Sequence, residues 1–150
     1  MRIVRLAAGS HWTVCAVCAE GECPVLDYIA ELEADDPKKS RKVASDLTEF
    51  APNNSSAAWI AQEFSTDLGD GIFEFRWNGR GGVPRVLWFY DANQLVVCVH
   101  GTTKKARRLS PEDMQLAKKR KDEYFAAKKA GKLEFVALAE FESEQTKGGD

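Results

Sequence analysis

Apolar positions along the chain change period several times, and each change marks an element. Residues 11–19 (HWTVCAVCA) are rich in Val and Cys with small residues between, which predicts a half-buried strand ended by Gly21 and Pro24. From Pro24 the period becomes helical: Val25, Leu26, Ile29 and Leu32 share a face, and Pro24 suits the first turn. That helix ends before Asp36-Pro37. A second spans about residues 37–50, with Val43, Leu47 and Phe50 on one face, so the two form a helical hairpin. Residues 51–56 (APNNSS) predict a loop, and residues 59–68 fit either helix or strand.

Three short strands follow Gly69-Asp70-Gly71. Residues 72–77 alternate Phe73 and Phe75 against Glu74 and Arg76; residues 85–90 (RVLWFY) and 94–100 (QLVVCVH) are separated from their neighbours by GRGG at 79–82 and by Asp91-Ala92-Asn93. Tight turns between successive strands predict an antiparallel meander. Ser110-Pro111-Glu112-Asp113 opens a helix, with a hydroxyl cap, a proline in the first turn and carboxylates at the positive end of the dipole. Gly131 stops it. Residues 133–141 fit strand or helix, and 142–150 predict a disordered tail. The fold class is α+β: an N-terminal strand and helical hairpin packed on a small, mostly antiparallel sheet, with a C-terminal helix. The length of 150 residues suits a single domain with its core over about 11–132.

Composition narrows the class. With 44% apolar residues the chain can bury a core, which excludes wholesale disorder. No apolar run is long enough to cross a bilayer, and no signal-peptide segment precedes His11, so the expectation is a soluble cytoplasmic protein without a membrane partner. The net charge of −2 hides a strong polarity, because residues 71–132 carry 14 Lys and Arg against 6 Asp and Glu, between two acidic segments. Local excess governs attraction to phosphate, since screening acts over about 10 Å. One consequence is that the acidic segment 133–150 could fold over the basic one and weaken its hold on a polyanion.

Cys15, Cys18, Cys23 and Cys98 carry little chemistry on this reading. Nothing suggests secretion, so no disulfide framework is expected. Three thiols within nine residues invite a zinc site with His11 or Cys98 as fourth ligand, but a second C-x-x-C pair is absent, and buried small hydrophobes are the expectation. No metal and no cofactor are expected.

The meander gathers polar residues. Glu74 and Arg76 project to one side of their strand, Arg85 opens the next, and His100 closes the third and leads into Lys104, Lys105, Arg107 and Arg108. If the strands pair in order, these cations converge on one sheet surface suited to a polyanion. Lys118, Lys119 and Arg120 on the following helix extend the basic character. RNA cleavage needs no more: a base for the 2′-hydroxyl, cations for the phosphorane and an acid for the leaving oxygen.

The runs GIFEFR at 71–76, RVLWFY at 85–90 and HGTTKK at 100–105, followed by Ser110-Pro111-Glu112 with Ala117 and Arg120, resemble the phage-derived, HigB-like branch of the RelE/ParE toxin superfamily. The resemblance covers about residues 23–125. It implies a RelE-like fold and the toxin of a type II toxin–antitoxin pair, a ribosome-dependent mRNA endoribonuclease whose partners are mRNA on the ribosome and a helix-turn-helix antitoxin bound as a hetero-oligomer. The family's polar positions fall on Glu74, Arg76, Arg85, His100, Lys104 and Lys105, of which Glu74, Arg85, His100 and Lys105 are the catalytic candidates and Arg76 and Lys104 the RNA contacts; local charge adds Arg107, Arg108, Lys118, Lys119 and Arg120 to the RNA-binding candidates. Thr102 stands where the family prefers Phe. Two rivals remain: a binding-only toxin that inhibits a topoisomerase, and a non-catalytic phage or prophage accessory protein.

Overall fold

The computed structural model describes residues 1–92, 94–105 and 108–148. Among them, seven strands form one mixed sheet: β1 (Arg2–Ala8), β2 (Thr13–Cys18), β3 (Ser65–Gly69), β4 (Ile72–Arg76), β5 (Val83–Asp91), β6 (Leu95–Lys104) and β7 (Glu134–Ala137), in the order β3-β4-β5-β6-β2-β1-β7. The meander over β3 to β6 is antiparallel, as its tight turns require. Beyond β6 the sheet is mixed: β2 lies parallel to β6, β1 antiparallel to β2, and β7 parallel to β1. The α+β class holds, with a larger sheet than the sequence pattern predicts.

The helical hairpin is α1 (Pro24–Asp35) and α2 (Pro37–Ser45), the latter capped by the Asp36 side chain accepting from the Lys39 amide at 3.2 Å. A π-helical turn continues α2 over Asp46–Phe50 and runs into α3 (Ala51–Asn53). The helical register therefore outlasts the predicted start of the loop at 51, and α4 (Ser56–Ala61) begins where that loop was expected to end. Pro52 explains the wide turn: its ring crowds the carbonyl four residues back, and the Ala51 amide donates to the Asp46 carbonyl instead.

These N-terminal helices cover one face of the sheet. Their core joins Val25, Leu32, Val43, Leu47 and Trp59 to Phe75, Val86, Trp88 and Val96. The opposite face is covered by α5 (Pro111–Lys129), whose Ala117 and Tyr124 pack on Ile72, Leu87, Phe89, Val97 and Val99. Both faces of β5 are therefore buried from Pro84 to Phe89, which is why Val86–Phe89 is a continuous apolar run and Arg85 before it is interior. Tyr28 of α1 lies so close to Gly101 on β6 that a Cβ there would meet its ring, and its hydroxyl shares a 2.6 Å hydrogen bond with Thr103.

The far edge of the sheet adds one strand and corrects two expectations. First, residues 2–8 form β1; its pairing with β2 puts Ile3 and Val4 opposite Val17 and Ala16, and the terminal ammonium donates to the Lys132 carbonyl at 2.9 Å. Second, residues up to Gly148 of the predicted tail belong to α6 (Leu138–Gly148), because Leu138 and Phe141 pack on Val4, Cys18 and Cys23 while Arg2 binds Glu144 at 2.7 Å. This acidic helix packs on β1 and β7, with β2 between them and β6, the nearest strand of the basic cluster, so it does not cover that cluster. Third, Cys18 and Cys23 are joined by a disulfide across the β2–α1 connection. That pairing removes both from any zinc site. Cys15 and Cys98 are the buried small residues expected, and burial pushes the Cys15 thiol up to about 12 and that of Cys98 higher still.

Candidate functional site

Glu74, Arg76, Arg85, His100 and Lys104 do share one sheet face. In the register of β4 and β5, Arg76 lies opposite Arg85; in that of β5 and β6, Arg85 lies opposite Thr102, Leu87 opposite His100 and Val83 opposite Lys104. Alternation then puts all five side chains on the α5 side, around the N-terminal end of that helix.

They form two linked groups. In the first, the buried carboxylate of Glu74 lies between two guanidinium groups, 3.5 Å from Arg76 Nε and 3.7 Å from Arg85 Nη1. Burial raises the Glu74 carboxyl above the ordinary glutamate range, and the two arginines only partly offset it. Arg85 is interior, 1% exposed, whereas the Arg76 side chain reaches solvent.

The second group centres on His100. Its Nε2 meets Asp113 Oδ1 at 2.8 Å, and its Nδ1 accepts from Arg120 Nη1 at 3.0 Å, while the same Nη1 donates to the Val99 carbonyl at 2.9 Å. With Nδ1 accepting, the ring is neutral and donates its Nε2–H to Asp113. Burial, then the nearby charges of Arg120 and Lys104, push its pKa below the ordinary histidine value against the pull of Asp113. Burial would raise the Asp113 carboxyl, but hydrogen bonds from His100, Ser110 and Lys104 outweigh it and hold it low. Lys104 Nζ stands 3.3 Å from the second Asp113 oxygen.

Arg76, Arg85, Lys104 and Arg120, with Lys105 and Arg108 exposed beside them, thus set six cations against the buried carboxylates of Glu74 and Asp113 and against Glu22 and Glu123, which act on Arg120, with His100 neutral. The end of the sheet keeps a positive excess, but its carboxylates lie beneath the cations rather than elsewhere. The arrangement can attract phosphate and holds a carboxyl displaced toward neutrality, the two requirements of metal-independent phosphate chemistry. Among the described residues, no group of three or more His, Cys, Asp or Glu is placed to hold a metal ion.

Residues 25–122 match the sequence model of the family described as phage derived protein Gp49-like (DUF891). The chain belongs to this family. No curated protein matches it in a search by sequence. The matched Gp49-like region begins in α1 and ends in α5, so it contains the meander and every polar residue of the two groups. Strands β1, β2 and β7 and helix α6 of this Gp49-like protein lie outside the match and build the other end of the sheet.

Other predicted positions are dispersed. Lys105 and Arg108 are exposed beside the cluster, between β6 and α5. Arg107 lies outside the described residues. On α5 the three basic residues diverge: Lys118 pairs with Asp70 at 2.7 Å on the β3–β4 turn, Lys119 faces Glu20, Glu22 and Glu123, and Arg120 turns inward to His100. Successive helix positions point 100° apart, so adjacent lysines on α5 cannot form one patch.

Sequence reasoning missed Asp113 as a member of the site. The signal was present in Ser110-x-x-Asp113, a capping pattern in which Ser110 Oγ accepts from the Asp113 amide at 3.2 Å and donates to its carboxylate at 2.8 Å. The cap orients the carboxylate that holds His100.

Proposed function

We propose that this Gp49-like protein is the toxin of a type II toxin–antitoxin pair of the RelE/HigB kind, cleaving mRNA on the ribosome in the cytoplasm without a metal ion. The observation that carries this reading is the excess of cations over carboxylates on one sheet end, around a glutamate displaced toward neutrality. In this scheme Arg76 and Lys104, two half-buried cations of the cluster, hold the scissile phosphate, with Lys105 and Arg108 on the flanking backbone. A proton leaves the 2′-hydroxyl for the Glu74 carboxylate, the oxygen attacks phosphorus, and the cations stabilise the dianionic phosphorane. The bond to the 5′-oxygen then breaks, and that oxygen takes up a proton, leaving a 2′,3′-cyclic phosphate and a 5′-hydroxyl. Arg85 acts from the interior by holding Glu74 in place.

Tightly controlled expression with growth measurement and mapping of transcript 5′ ends tests the reading. Growth arrest with discrete cuts, lost in the Arg76→Ala and Lys104→Ala double variant, is the expected result. Full expression with neither arrest nor cuts would leave an accessory protein. The engagement of both His100 ring nitrogens favours a second reading, a binding-only toxin acting on a topoisomerase. DNA-damage signalling without transcript cuts would establish it. A helix-turn-helix partner is expected from the adjacent gene.

A further inference from the structure

A cleft of about 370 Å3 opens on the other side of Arg76, between α2 with its π-helical turn, residues 62–64 after α4, and the start of the β4–β5 connection. Its size falls within the range of small-ligand sites, about 300–1,000 Å3. Three aromatic rings line it in an edge-to-face series: Phe50 to Phe64 at 5.4 Å and Phe64 to Trp77 at 5.3 Å. Cations stand at its rim, since Arg76 lines it as well as meeting Glu74, and Lys42 is well exposed. Gln62 and Asn78 supply amide donors and acceptors.

The backbone is shaped toward this cleft. The π-helical turn inserts one residue into the helical register, and its first and last members, Asp46 and Phe50, both line the wall. Asp46 accepts from the Trp77 indole nitrogen at 2.8 Å and also binds Lys42 at 3.2 Å, so one carboxylate orients the ring and the rim cation together. Glu63, at the mouth, adopts a left-handed backbone with φ of 56°, a conformation uncommon for a residue with a Cβ.

We infer that this cleft binds a nucleoside of the RNA strand, with the base on Trp77 and the adjoining phosphate on Arg76. A fixed aromatic platform, amides at hydrogen-bonding positions and a cation shared with the neighbouring cluster are what a base attached to a phosphate requires. The inference rests on the RNA-cleavage reading for its substrate class, and adds to it a subsite that selects the nucleotide beside the scissile bond. Lys42 steers the phosphate from the far rim.

The test titrates adenosine and cytidine 3′-monophosphates, and the two nucleosides, into the intact 15N-labelled chain while its backbone amide signals and the indole N–H signals of its four tryptophans are followed. The Trp77 signal, identified by its loss in Trp77→Phe, is expected to shift saturably. Trp77→Phe keeps binding within a few-fold, whereas Trp77→Ala weakens it by roughly five- to a hundredfold, the range for removing a base-stacking ring. Lys42→Ala, an exposed position, is expected to weaken the monophosphate more than the nucleoside. An unmoved Trp77 signal overturns the inference, as does an identical shift with inorganic phosphate alone, or a shift produced only by a tryptophan-bearing peptide. Transcript cleavage with an unmoved Trp77 signal would sink the subsite and leave the nuclease. Saturable nucleotide binding without cleavage would sink the nuclease and leave the subsite.

Discussion

Arg76 and Arg85 stand directly opposite each other in the register of β4 and β5, two like charges at a position where cross-strand neighbours normally attract. Glu74, one pleat along from Arg76, makes the arrangement tenable by lying within 4 Å of both. The three residues form one electrostatic unit at the edge of the candidate site, and they differ in what their loss would do.

Removing Glu74 charge by Glu74→Gln leaves two guanidiniums without their shared counterion. Breaking such a buried arrangement costs about 3–5 kcal/mol, and Arg85→Ala is expected to cost a similar amount by taking from buried Glu74 its interior partner and leaving it the half-buried Arg76. Arg76→Ala acts at a partly exposed side chain and is expected to cost less than about 1 kcal/mol while abolishing toxicity. Urea denaturation beside a growth assay separates these outcomes; equal stability losses for Arg76→Ala and Arg85→Ala would refute the distinction.

His100 gives a pH signature. Its folded pKa lies below its unfolded value, so below about pH 6.5 the unfolded chain takes up a proton that the folded chain resists. The stability this neutral histidine contributes is complete above that pH and is lost as the pH falls toward the folded pKa. Asp113, held low, adds a second loss at more acidic pH, below the ordinary carboxylate range. His100→Gln is expected to flatten the first limb of a stability-versus-pH curve measured by denaturant titration and to shrink the second, since His100 is the first of the groups that hold Asp113 low.

Gly101 allows α1 to approach β6. Gly101→Ala drives a methyl group into the Tyr28 ring and is expected to cost about 1–3 kcal/mol, as overpacking does. Thermal unfolding measures it. Gly131→Ala strains a left-handed helix stop instead, with no neighbour within 4 Å of the added methyl, so only the backbone term remains.

The far edge of the sheet is expected to govern stability and not RNA binding. Reducing the Cys18–Cys23 bond frees a short loop, worth about 2 kcal/mol by chain entropy, and loosens the platform under Phe141. Truncation before α6 exposes Val4 and the disulfide and lowers the melting temperature. RNA affinity and its salt dependence stay unchanged in the truncated protein, because no carboxylate of α6 reaches the cluster. Tighter binding after truncation would restore the idea of an acidic screen.

Much of the Gp49-like fold was legible from one dimension. The α1–α2 hairpin, the β4-β5-β6 meander and the start and stop of α5 follow from periodicity, prolines and a serine cap, all interactions between residues within a few positions of each other. Convergence of Glu74, Arg76, Arg85, His100 and Lys104 on one face also followed, because strand alternation and tight turns fix which side chains are neighbours. β1, β7, α6 and the Cys18–Cys23 bond were not legible. β7 and α6 exist through partners more than a hundred residues away, β1 is held between β2 and the distant β7, and the disulfide depends on a fold that brings the end of β2 back to the start of α1. Whether Arg85 met solvent or a buried carboxylate, and whether His100 offered a free nitrogen, depended on α5 closing over the sheet. Local sequence thus sets the direction in which a side chain projects. Burial and electrostatic partners are decided only by what packs on top, and those partners determine which cations remain for a phosphate.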